Sequence, residues 1–393
     1  MPEANATPPP PLSPDVLHAR DFLLRLHKMP AAPTPFTSAT NLIVALNVAM
    51  FIFMGAFYDA GWWEPTSMRP YNLFAASNGA ATTDGEWWRL LTSMFAHFGF
   101  LHLALNMWAL ANVGPLVERL FGRALYLLLY LAAGIGGGMV SLAWNGDRIW
   151  SAGASGAIFG VYGLLLGYIL RERHGLPKLV FRPMLKSTLI FAALNIFFGA
   201  TRPGIDNACH LGGLATGFLL GWLTALPVDP EIHARRGASR LWLALAATVV
   251  ITAAGIAFTP RYNYSYRDEI TWHEANKGFP EKEQDLIQRN NAELQQYQQT
   301  KGQNRATYAA WLGTEVIPFY QKWNEQLGHV VLQPGRITGQ RSAIVQEMLR
   351  IKIAGYTRLR EGVLANDPRG ITDFIAAEQA AMQQLAQLDR RKL

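Results

Sequence analysis

Sulfur cross-linking is excluded at once: Cys209 is the only cysteine in 393 residues, so no intrachain disulfide can form. Charge is scarce too, 16% of residues against 50% hydrophobic, and it is unevenly placed. The stretch from Met1 to Thr259 holds 30 Asp, Glu, Lys and Arg, whereas the much shorter stretch from Pro260 to Leu393 holds 33. The net charge of +7 divides into +4 and +3. Neither part is the polybasic body of a nucleic-acid binder, so no nucleic-acid partner is expected. Aspartate is absent from the middle of every apolar run, which removes a membrane aspartyl pair. "HEAN" at His273 lacks the second histidine of a zinc-binding HExxH helix. The first 35 residues contain "TPPPPLSP" with Arg20, Arg25 and Lys28, and lack the apolar core of a cleavable signal sequence. Within them, Val16 to Met29 suits a short amphipathic helix on the membrane surface.

What is present is apolar text in lengths that cross a bilayer, about 17–25 residues each. Seven such spans fall near 37–57, 91–113, 122–144, 152–171, 184–200, 206–226 and 241–258. The fifth begins with Lys186, which can snorkel to the interface. Lys and Arg in the short connections set the orientation. With the N-terminus inside, the inner segments carry thirteen of them and the outer loops only Arg69, Arg89, Arg148 and Arg202. The reading is an all-α polytopic membrane bundle, with residues 1–36 a cytoplasmic segment, 37–226 a six-helix core and 241–258 a seventh helix. An odd number of crossings places 260–393 outside the cytoplasm, and the cell membrane is the expected location. That last region is polar helical text: "EKEQDLIQRNNAELQQYQQ" and "QRSAIVQEMLRIKIAGYTRLREGVL" have amphipathic spacing, and Gln333-Pro334-Gly335 and Asp367-Pro368 read as breaks.

Polar groups inside a bilayer are costly and face the bundle interior. Four stand out: His102, Asn106, Ser155 and His210. Behind Ser155, glycines at 156, 160, 163 and 167 lie on one helical face. Behind His210, glycines at 213, 217 and 221 do the same. Rows of small residues let two helix backbones approach closely, so Gly156 and Gly160 are expected against Gly213 and Gly217, bringing Ser155 to His210. A serine hydroxyl needs a base to become a nucleophile, and histidine is the usual one. His102 and Asn106, four residues apart, share a face and both can donate hydrogen bonds. With the backbone N–H of Ser155 at a helix start, they would form an oxyanion hole. His97 lies five residues before His102, about 140° round a helix of 3.6 residues per turn, so it points elsewhere. That spacing also argues against a metal cluster of His97, His102, Cys209 and His210. Asp206 is read as the N-cap of the sixth span, which leaves a Ser–His dyad rather than a triad.

At this point the sequence resembles the rhomboid family of intramembrane serine proteases. The matching text is "GEWWRLLTSMFAHFGFLHLALNM", "GPLVERLFG", "GASGAIFG" and "DNACHLGGLATG", covering about Gly85 to Gly221. The resemblance implies Ser155 as nucleophile, His210 as general base, and His102, Asn106 and the Ser155 N–H as oxyanion donors. It also implies that Trp88-Arg89 is the signature of the first outer loop and Glu118-Arg119 the structural pair at the inner end of the second helix. The family usually has tyrosine one turn after the serine, stacked on the histidine. Here Phe159 keeps the ring without the hydroxyl, which implies tuning of the histidine rather than loss of activity. Transmembrane protein substrates in the lipid bilayer are the implied partners, and no cofactor or metal is called for. The alternative within the same family is an inactive protein that binds and escorts membrane clients, a class that typically lacks the serine or the histidine. The resemblance does not extend to the region after Pro260.

Overall fold

The computed structural model describes residues 12–29, 37–67, 71, 77, 79–262, 264–330, 332, 337–366 and 383. The proline-rich stretch before Leu12, Gln333-Pro334-Gly335 and Asp367-Pro368 lie outside the described residues. The chain separates into two compact units, Met1–Arg261 and Tyr262–Leu393. The first unit begins with α1 (Pro14–Lys28), α2 (Ala39–Tyr58) and the short helical turns α3 (Gly79–Thr83) and α4 (Arg89–Thr92). Six long helices follow: α5 (Phe100–Phe121), α6 (Arg123–Asn145), α7 (Ser155–Arg171), α8 (Lys178–Thr201), α9 (Asn207–Thr224) and α10 (Pro230–Phe258). Among the described residues the only β-type pairing is an isolated bridge between Ser77 and Ser151.

Helices α2, α5, α6, α8 and α10 are long and apolar enough to cross a membrane. Helix α7 is shorter at 17 residues, and α9, at 18 residues, carries Asn207, His210 and a row of glycines. Most of α7 is buried, whereas α9 leaves Leu211, Leu219 and Leu223 exposed along one face. The amphipathic segment at the start of the chain forms α1, which buries Phe22 and Leu26 and leaves Leu17, Leu23 and Leu24 exposed.

Two sequence expectations need correction. The second crossing starts later than its apolar text does: Ser93–Phe95 is a 3-10 turn, Ala96 is extended, and α5 begins only at Phe100. Gly99 enforces the break, with φ +95 and a would-be Cβ falling on Trp63 O. Met94 and Ala96 are apolar because they are buried in protein, not because they face lipid. The seventh helix is also longer than 241–258. Asp229 caps it by accepting from Glu231 N at 2.9 Å and Ile232 N at 3.2 Å, and Pro230 sits in its first turn. Arg240 is buried. Its Nε donates to Thr224 O at 2.8 Å and its guanidinium lies over the Phe121 ring, fastening α10 to the C-terminal ends of α9 and α5.

The end of the bundle remote from Ser155 is organised by Glu118 on α5, which is fully buried. Its carboxylate accepts from Ala39 N at 2.7 Å, Thr40 N at 3.0 Å, Thr40 Oγ1 at 2.8 Å and Ser38 Oγ at 2.9 Å. The first N–H groups of any helix lack intrahelical partners and its start is electropositive. A buried carboxylate is tolerated here because every partner it meets is a donor.

The second unit contains α11 (Tyr266–Asn276), α12 (Phe279–Gln299), α13 (Arg305–Trp311), α14 (Ile317–Gly328) and α15 (Ile337–Ala365), with one π turn at Leu312–Val316. Both amphipathic stretches are therefore helical. Their apolar faces meet in a core that includes Leu286, Tyr308, Tyr320, Leu349 and Tyr356. Within it Lys352 is buried, paired with Glu283 at 2.7 Å and lying over the Tyr320 ring.

Replacing Glu118 with Ala strands four donors at the start of α2, at about 1–3 kcal/mol for each buried group left unsatisfied. The expected result is a markedly lower unfolding midpoint in detergent, with Glu118→Gln intermediate. An unchanged midpoint for Glu118→Ala would show that α2 is held by packing alone.

Candidate active site

The site is made by how closely α7 and α9 approach. A Cβ built on Gly213 would land on Gly156 O, and one on Gly217 would land on Gly160 O. One turn further on, a Cβ on Gly221 would lie 2.5 Å from Leu164 O. The two glycine faces therefore meet along the full contact, and no other residue fits at these positions. Gly137 and Gly136 on α6 press against the same side of α9, at Cys209 and Thr216. Cys209 is thereby wedged among α6, α7 and α9, with its Sγ 2.5 Å from a would-be Cβ on Gly156.

Ser155 is the first residue of α7 and His210 lies in the first turn of α9, so both stand at the same end of the pair. Ser155 Oγ and His210 Nε2 are 2.9 Å apart. His210 is buried, and its Nδ1 meets no hydrogen-bond partner among the described residues. Phe159 stacks on the imidazole with centroids 4.3 Å apart and planes 8° apart. Phe191 of α8 touches Phe159 and stacks on Tyr162, closing this side of the site with a third aromatic ring.

His102 and Asn106 stand on α5 as expected. A Cβ on Gly153 would sit 2.8 Å from His102 Nε2 and 3.8 Å from Ser155 Oγ, so these atoms border one small space. Gly153 has φ +131 and no room for a side chain. The Nδ1 of His102 accepts from Phe98 N at 3.4 Å. A neutral ring with an acceptor Nδ1 carries its proton on Nε2, the nitrogen beside Gly153. Asn106 donates one amide hydrogen to His102 O at 2.9 Å. In α7 the first helical bond is Ile158 N to Ala154 O, which leaves the Ser155 N–H ahead of the ladder.

The expectation that His97 points away from the site is wrong. That argument assumed a helix through 97–102, but His97 lies in the extended segment before α5. Its ring packs edge-on against His102 with centroids 5.0 Å apart, and its Nε2 accepts from Ala154 N at 3.4 Å. The connection between α2 and α5 is held by Arg89, which is buried, pairs with Glu86 at 2.6 Å and lies over the Trp88 and Trp150 rings. Gly153 and His97 are the site neighbours that sequence periodicity missed, because both belong to non-helical segments. Among the described residues no group of three His, Cys, Asp or Glu side chains is arranged to hold a metal ion.

Comparison with known proteins agrees with this architecture. The family model of the rhomboid domain matches residues 84–227. Rhomboid protease GluP of Bacillus subtilis is 34% identical over 242 residues, covering 62% of this chain and 44% of its own length. The putative rhomboid protease YdcA of the same organism is 35% identical over 184 residues, covering 47% of this chain and 86% of its own. Rhomboid protease AarA of Providencia stuartii is 30% identical over 203 residues, covering 46% of this chain and 70% of its own. The chain thus spans less than half of GluP but most of the two other relatives. A helical membrane bundle aligned in this way with nearly the whole of YdcA is an integral membrane protein that belongs to the rhomboid family.

Proposed function

We propose that the chain is an intramembrane serine endopeptidase that cleaves peptide bonds in or beside transmembrane segments of other membrane proteins. The observation that carries this reading is the 2.9 Å contact of Ser155 Oγ with His210 Nε2. It lies at the contact of two helices whose glycines have no other evident use.

The chemistry follows acyl transfer by a dyad. His210 Nε2 takes the Ser155 proton as Oγ attacks the substrate carbonyl carbon. The carbonyl oxygen becomes an oxyanion, which the Ser155 N–H, the Nε2–H of His102 and the second amide hydrogen of Asn106 stabilise. His210 then returns the proton to the leaving amine, the C–N bond breaks, and an acyl-serine remains. Water, deprotonated by His210, hydrolyses that ester and restores the serine. In this scheme His210 becomes an imidazolium with no carboxylate on its Nδ1, and the flat face of Phe159 provides its main contact. Phenylalanine stacks there without offering a hydroxyl, so the cation gains ring polarisation only.

The basic residues of the short loops orient the bundle with its N-terminus in the cytoplasm. Ser155 and His210 then lie toward the outer leaflet, and Tyr262–Leu393 lies outside the cytoplasm. Long domains translocate largely regardless of their own charge, so the basic residues of that unit do not oppose this arrangement.

With purified protein and a single-span substrate, Ser155→Ala and His210→Ala are each expected to abolish cleavage while the protein stays folded. A fluorophosphonate should label Ser155 in the parent chain, as peptide mass mapping would show. A folded parent chain that neither cleaves nor labels would favour the client-binding reading instead. His102→Ala and Asn106→Ala are expected to lower kcat, by up to about 10²–10³ for a lost oxyanion donor, with little change in KM. An effect confined to KM would remove that residue from the oxyanion role. A reporter fused after Leu393 should read as extracytoplasmic, and truncation after Arg261 should leave cleavage of a generic substrate intact. A cytoplasmic reporter signal would overturn the seven-crossing arrangement.

A further inference from the structure

Asp206 does far more than cap a helix. Its Oδ1 accepts from Cys209 N at 3.0 Å, the N-cap bond of α9, and also from Asn145 Nδ2 at 3.0 Å. Its Oδ2 accepts from Ser141 Oγ at 2.5 Å and Ser151 Oγ at 2.6 Å. Both serine hydroxyls donate to the same carboxylate oxygen. Four donors thus converge from three places: the outer end of α6, the start of α9, and the segment that leads into α7.

That segment, residues 151–154, sets where Ser155 stands. On its other side it is held by the paired backbone bonds of Ser151 with Ser77 at 2.7 and 2.8 Å, and by Gly153 N donating to Ser93 O at 2.8 Å. Asp206 precedes His210 by one turn, and its carbonyl accepts from His210 N at 3.1 Å. One carboxylate therefore fastens both the approach to the nucleophile and the helix that carries the base. It forms no bond to the imidazole, whose Nδ1 is unpartnered among the described residues.

We propose that Asp206 is a positioning residue, a clamp that fixes the separation of Ser155 and His210 by binding Ser151 and the α9 backbone at once. It acts through geometry, without joining the dyad as a third member. The proposal rests on the dyad reading above. Displacements near 1 Å at a reacting pair cost up to about 10²-fold in rate, so the clamp should act on the chemical step rather than on substrate binding.

The test uses the full chain in detergent with Asp206→Ala, Asp206→Asn, Ser151→Ala and the Asp206→Ala/Ser151→Ala pair. Three quantities are read: kcat and KM on a single-span substrate, the fluorophosphonate labelling rate at Ser155, and the unfolding midpoint. Asp206→Ala is expected to lower kcat and labelling together by about 10–100-fold, with KM within about twofold. Asparagine keeps an acceptor for Cys209 N and Asn145, and its amide can donate to both serine oxygens, so it should recover most of the rate. Ser151→Ala, which removes one bond and leaves the cap, should fall between, and adding it to Asp206→Ala should slow the enzyme no further. Labelling of Asp206→Ala or Ser151→Ala at the parent rate would overturn the clamp, as would Asp206→Asn as slow as Asp206→Ala. Failure of the parent chain itself to label at Ser155 would strike the dyad, a result distinct from any of these. Should Asp206→Ala not fold, the Ser151→Ala and Asp206→Asn rates decide the matter alone.

Discussion

The contact on which the structure depends is backbone against backbone. Along α7 and α9, a carbonyl of one helix fills the space that a methyl group would take on the other. Between membrane helices there is no hydrophobic driving force to recruit, because lipid is as apolar as leucine. Close packing and the dispersion gained from it must hold the pair instead. Each glycine lowers helix propensity by about 1 kcal/mol relative to alanine, a cost offset by an approach that no side chain would permit. That approach sets the 2.9 Å separation of Ser155 and His210, since both side chains project from the first turns of helices already locked in register.

A polar pair at membrane depth also needs shelter. Most of α7 is buried within the bundle, and both α7 and α9 pack against α6 and α8. Irregular backbone is confined in the same way. In the irregular stretches 93–99 and 151–154, Ser151 pairs with Ser77, Gly153 N donates to Ser93 O, Gly99 N to His97 O and Ala154 N to the His97 ring. Backbone outside helices survives at this depth only where protein satisfies it.

Much of this was legible in the sequence. The seven apolar runs appear as α2 and α5–α10, and the glycine rows named the helix pair because their period is 3.6 and the helices are straight where it matters. Periodicity also placed Ser155, His210, His102 and Asn106. It failed where the chain leaves the helix. The text from Leu91 to Gly99 is as apolar as a crossing, but the positive φ of Gly99 and the 3-10 turn before it end any helical count, which misplaced both the start of α5 and the direction of His97. The cap role of Asp206 was legible and is present, but its bonds to Ser141, Asn145 and Ser151 and the bond of Arg240 to Thr224 reach other segments, where no spacing rule within one segment can find them.

The carboxylate of Glu118 has a consequence for how the bundle is made. Its bonds to Ser38, Ala39 and Thr40 join residues separated by 78 to 80 positions. During synthesis α2 emerges long before α5 exists, so its first N–H groups must spend that interval on water or headgroups at the membrane interface. The start of α2 can reach its dry, final position only after α5 has entered the bilayer. Insertion and docking of the first crossing are therefore separate events, with the later helix carrying the counterpart that lets the earlier one settle.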